Sequence, residues 1–105
     1  MTFNINSVLS DMLEAMKRAL DGNWESVKFT AQLFLERDKQ RFKLIAELRI
    51  AGDIPEVTFQ ARLNDEKFII EAELNALEVV SKSIAQNAAN AAINALKMAV
   101  SLALL

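Results

Sequence analysis

Cysteine, histidine and tyrosine are absent from this chain, tryptophan and proline occur once each, and glycine occurs twice. Each gap removes a class of function. Without cysteine there are no disulfides and no thiolate metal sites. Without histidine or cysteine, the commonest general base, the Ser-His-Asp and Cys-His nucleophile systems and ordinary zinc sites cannot be assembled. Gly22 and Gly52 stand alone, so neither a P-loop nor a G-x-G-x-x-G turn is present. A di-iron bundle would need Glu-x-x-His pairs, which are also missing. Glu71 and Glu73 fall on different helical faces, and these carboxylates, with Glu78, read as surface acids. We therefore expect no enzyme, and no catalytic, cofactor-binding or metal-ligating residue.

An excess of charge of one sign is missing too. Twelve basic and fourteen acidic residues are mixed along the chain, with a net charge of −2 and a pI near 5.1. A nucleic-acid partner would call for a basic face, so none is expected. The most basic stretch, "ERDKQRFK" (Glu36 to Lys43), is diluted by Glu36 and Asp38 and reads as a solvated helix face. The opening segment lacks a basic region followed by a continuous apolar core, so it is not read as a signal peptide, and the cytoplasm is the expected compartment. With 105 residues and 52% apolar content, a single ordered domain over 1–105 is expected.

What is there is alanine, leucine and long periodic segments. Ile5, Val8, Leu9, Met12, Leu13, Met16 and Leu20 share one face of a first helix, expected over 5–21. Asn4 or Ser7 can cap it, Gly22 offers a left-handed stop, and Asn23 can cap the next helix. The middle of the chain reads two ways. Val27, Phe29, Ala31, Leu33 and Leu35 alternate with mostly polar neighbours, as do Phe42 to Ile50, Val57 to Leu63 and Phe68 to Leu74. At a period of two this is α+β: a four-stranded antiparallel meander flanked by N- and C-terminal helices. At 100° per residue, Trp24, Val27, Ala31, Phe34, Leu35, Phe42, Ile45 and Leu48 share one face instead. The would-be hairpin loops "ERDKQ" and "NDEK" lack glycine, and Ala, Leu, Glu, Lys, Arg and Gln favour helix. We therefore expect an all-α fold: an antiparallel helical hairpin or bundle with a long C-terminal helix. Its helices are expected at about 5–21, 24–51 and 54–104. Gly52 would end the second, and Asp53, Pro55 and Glu56 would start the third.

The third helix raises the functional question. Phe59, Leu63, Ile70, Leu74 and Leu77 lie in one arc, and Ile84, Ala88, Ala92, Ala95 and Ala99 continue it without a change of phase. Such a helix would run about 73 Å, and the second helix would reach back along it only to about Lys82. Beyond that point an alanine groove between larger residues would have no partner in its own chain. Leaving it wet would forfeit roughly 1.5–3 kcal/mol for each large side chain. A break at Ser81–Lys82–Ser83, folding the tail back as a fourth helix, is the alternative. Ser83, Asn87, Asn90, Asn94, Lys97 and Ser101 form a polar stripe on the same segment. It reads either as a solvent face or as an amide ladder between identical helices.

The expected function is accordingly a non-enzymatic structural or interaction protein, a scaffold or adaptor subunit that self-associates through its C-terminal helix. The expected interface comprises Ile84, Ala85, Ala88, Ala92, Ala95, Leu96, Ala99 and Leu102 with Asn87, Asn90 and Asn94. The expected partner is another copy, or another helical protein. The sequence leaves two alternatives open. One is a membrane-associated or pore-forming helical oligomer, since Ile84 to Leu105 is long enough to cross a bilayer although its amides and Lys97 would need partners there. The other is a small chaperone whose apolar groove receives a client helix.

Overall fold

The computed structural model describes residues 3–105, which form α1 (Ile5–Leu20), a short 3₁₀ turn (Asp21–Asn23), α2 (Trp24–Ile50), α3 (Glu56–Ala76) and α4 (Lys82–Ala103). The all-α reading holds. No strand occurs among the described residues, and the α+β meander is set aside. Its misleading alternation has a simple source. Phe29, Leu33, Leu44, Val57 and Phe68, which completed the period-two pattern, are exposed, whereas Val27, Ala31, Phe34, Leu35, Phe42 and Ile45 form the buried face of α2.

Local signals account for most boundaries. The Asn4 side chain accepts the Ser7 amide at 3.1 Å and caps α1. At the end of α2, Gly52 takes φ +81°, with the Gly52 N–H bonded to the Arg49 carbonyl and the Asp53 N–H to the Leu48 carbonyl. That is the six-to-one and five-to-two pair of a Schellman stop, in which glycine carries the left-handed conformation without a Cβ clash. Three expected devices are not used. Asp21, not Gly22, holds the positive φ after α1, and Asn23 makes no side-chain cap. Pro55 is itself the cap residue of α3, so Asp53 and Glu56 form no capping box.

The unbroken helix over 54–104 is corrected. The chain leaves α3 at Leu77 and re-enters helix at Lys82, and Ser81 caps α4 by accepting the Ile84 amide at 3.2 Å. Glu78 supplies the stop, with φ 58° and its N–H on the Asn75 carbonyl at 3.1 Å. A left-handed non-glycine residue costs about 1–2 kcal/mol. Folding back buries Ile93, Leu96 and Val100, each worth roughly 1.5–3 kcal/mol, so the reversal wins. The resulting bundle is 39 Å in its longest dimension, where a continuous third helix would have run far past its partners.

Successive helices reverse direction, so α1 and α4 also run antiparallel. Their contact is the most extensive in the fold. Met12, Met16 and Leu20 of α1 are buried in one core with Ala85, Ala88, Ala92 and Leu96 of α4. Small residues let helices approach closely. The alanine groove therefore does receive a helix, and that helix belongs to the same chain. Trp24 packs half-buried at the junction of α1 and α2.

Candidate functional site

The expected interface divides along the axis of α4. Ala85, Ala88, Ala92 and Leu96 are buried in the chain's own core and present nothing to a partner. The expectation that this arc lacks an intramolecular partner is overturned by α1. Ile84, Ala95 and Ala99 are half-buried at its margin, and Leu102 is exposed. Asn87 and Asn94 are exposed and Asn90 is half-buried, so the polar stripe faces outward together with Ser83, Lys97 and Ser101.

Two grooves flank that stripe. Between α1 and α4 runs an open groove of about 610 Å³. Val8, Ala15, Ala91, Ala95 and Ala99 supply its apolar lining, Phe3, Met98 and Leu102 add bulk, and Asp11, Glu14 and Arg18 line it from α1. Met98 is 65% exposed, a large thioether left without cover. Between α3 and α4 lies a smaller groove of about 170 Å³, lined by Gln60, Asn64 and Lys67 against Asn90, Asn94 and Lys97 over Leu63 and Ile93. Its amides can both donate and accept hydrogen bonds.

The opposite seam, between α2 and α3, is ionic. Arg37 binds Asp38 through Nε at 3.0 Å and Nη2 at 3.1 Å, and also binds Glu73. Arg41 holds Glu66, with Nη2 to Oε2 at 2.8 Å, and reaches Asp38 Oδ2 at 3.3 Å. Asp38 and Glu66 are buried, and buried carboxylates require such partners. The bond to Glu66, opposed by partial desolvation, keeps Arg41 more firmly protonated than a free arginine. Bonds to Asp38 and Glu73 do the same for Arg37. Hydrogen bonding from Gln60, then the charges of Arg49 and Lys97, hold the Glu56 carboxyl below its ordinary range. By sequence, "ERDKQRFK" reads as a solvated face and Glu73 as a plain surface acid; Glu36, Arg37, Gln40 and Arg41 are exposed as expected, whereas Asp38 is buried and Glu73 is half-buried against Arg37. The missed signal is Asp38 on the same helical arc as Val27, Ala31, Phe34 and Phe42.

Chemically, these carboxylates are engaged by arginine, and no group of three or more potential metal ligands occurs among the described residues. Elsewhere on α2 the molecule also exposes Phe29 and Leu33 at 70% and 72%, with Lys28 set over the Phe29 ring. No helix among the described residues is long and apolar enough to cross a membrane. No family model matches this chain, and neither the curated proteins nor the solved structures contain a match to it.

Proposed function

We propose that this is a non-enzymatic, cytoplasmic helical interaction protein that self-associates and serves as a scaffold or adaptor subunit. The inner face of α4 is occupied, so the associating surface is its outward side and the adjoining α1/α4 groove. One observation carries the reading. Met98 and Leu102 stand exposed beside a long alanine-lined groove that none of the described helices covers. Contiguous apolar surface of this kind marks interaction sites. Solution mass measured by light scattering across a range of concentrations tests it. Mass is expected to rise above that of one 11.7 kDa chain. A strict monomer at the highest concentration removes the proposal.

A second reading has its own support. The α1/α4 groove could equally receive an amphipathic helix of a different protein, its alanine lining admitting a close backbone and its acidic residues Asp11 and Glu14 favouring a basic client. In that case the isolated protein stays monomeric, and a basic amphipathic peptide binds with a salt-sensitive affinity. A pore is not carried forward, since no described helix has the length and apolarity to build one.

A further inference from the structure

The helices differ in what they show to solvent. Every exposed position of α1 is polar or charged. On α2, by contrast, Phe29, Leu33 and Leu44 are each more than half exposed, and so is Phe68 on α3. Ile69, Ala61 and Ala72 of α3 are exposed beside it. Both helices thus bury one apolar face in the core and carry a second outside. An apolar stripe is the part of a helix that packs.

The two outer rows lie on one side of the bundle. Arg37 with Glu73 and Arg41 with Glu66 mark where α2 and α3 meet. In helical phase, Leu44, Leu33 and Phe29 follow Arg37 around α2, away from the buried arc. Ile69, Ala72, Ala61 and Phe68 follow Glu73 around α3 in the same way. The rows therefore flank the ionic seam and make one band, about 22 Å long from Phe29 to Leu44. The α1/α4 contact lies on the other side of the bundle. We propose that this band seats a second copy of the chain, through a surface separate from the α1/α4 groove. The proposal shares the self-association reading above but not its surface.

Area and charge select the occupant. The five large side chains expose on the order of 500 Å² of apolar surface. A standard interface buries about 800 Å² per partner, a little over half of it apolar, so the band supplies the apolar share of a stable contact. Both phenylalanines are held by the lysine before them, with Lys28 Nζ 5.3 Å from the Phe29 ring centre and Lys67 Nζ 4.9 Å from that of Phe68. A ring already held loses less freedom when it is covered.

An anionic lipid surface calls for an excess of positive charge. The band has none, since Arg37 and Arg41 are bound by Glu73 and Glu66, and Arg62 is matched by Asp65 one turn along α3. Arg62 and Asp65 are exposed on the same side of α3 and join no ion pair among the described residues. A partner of one sign answers only one of them. A twofold pair of copies answers both, each residue meeting its opposite in the other copy.

Light scattering over a concentration series tests this, with helicity checked by circular dichroism. Met98→Glu blocks the α1/α4 groove and is expected to leave a dimer. Adding Phe29→Glu or Phe68→Glu is expected to raise the dimer Kd at least about tenfold, as loss of an aromatic anchor does. Both rings are exposed, so the core is left intact. Adding Arg62→Glu instead is expected to weaken the dimer by about threefold, and Asp65→Arg on top of it to restore the affinity. A monomeric Met98→Glu protein, or a dimer indifferent to both rings, overturns this inference and leaves association through the groove standing. Flotation of a Met98→Glu monomer with phosphatidylcholine vesicles assigns the band to lipid instead. A wild-type monomer at every concentration overturns both readings.

Discussion

The α1/α4 contact and the α2/α3 contact join antiparallel helices by opposite means. The first is dry, with methionines and leucine of α1 packed on alanines of α4. The second is wired by charge, with Arg37 and Arg41 spanning to Glu73 and Glu66 around a buried Asp38. Dry contacts depend on volume and tolerate neither gaps nor extra atoms. Ionic contacts depend on each partner being present, because a buried charge stripped of its mate is costly. One half of the bundle should therefore answer to changes in size, the other to changes in charge.

Leu96→Ala tests the dry half most severely. Leu96 is fully buried, so truncation should cost about 2–5 kcal/mol in urea unfolding. Ala92→Leu probes the same contact from the other direction and should lose about 1–3 kcal/mol by overpacking. A neutral outcome for both would mean that the helices are not closely packed and would dissolve the contrast. In the wired half, Glu66→Ala leaves Arg41 without its principal partner. Arg41 is 44% exposed, so water recovers part of the loss and about 1–2 kcal/mol is expected. Glu66→Leu, which fills the space, should cost less together with Arg41→Leu than alone. A double-mutant cycle reads that coupling.

The reversal between α3 and α4 offers a gain. Glu78→Gly removes the Cβ penalty at φ 58° and should stabilise the fold by about 1 kcal/mol. No gain would mean that Glu78 makes compensating contacts. The smallest effect is with pH. Glu56 has its carboxyl held below the ordinary range, so its contribution is present at neutral pH. That contribution disappears as pH falls through the lowered value, because protonation then favours the unfolded chain. Glu56→Gln should flatten the acid limb of stability against pH, while Leu96→Ala shifts the whole curve without changing its shape.

How far the sequence disclosed this molecule depends on which physical terms are local. The apolar face of α1, the buried arc of α2 and the Gly52 stop are properties of neighbouring residues, and each was legible. The position of the polar stripe on α4 was legible as well, since helical phase places it opposite the alanines. The break at Leu77–Ser81 was legible only as the alternative, a fourth helix beginning near Ser81–Ser83, and not as the preferred reading. It contains no glycine or proline and leaves the apolar phase of α3 and α4 continuous, so the helix period runs straight through it. Only the tertiary gain from packing Leu96 and Val100 inside the bundle outweighs the strain at Glu78, and that gain requires knowing where α1 lies. Asp38 is a different case. Its burial is visible in the phase of α2 and its partners Arg37 and Arg41 lie on the same helix, but the Glu73 and Glu66 that share those arginines arrive only when α3 folds back.

The joining of α1 to α4 has a consequence for the order of events during synthesis. The apolar side of α1 faces α4, the described helix farthest from it in sequence, and the intervening hairpin offers it only a lesser contact. Until α4 has been translated, α1 lacks its principal partner. The loop closed when the two dock encompasses α2 and α3, so this contact carries the largest loop-closure cost in the bundle.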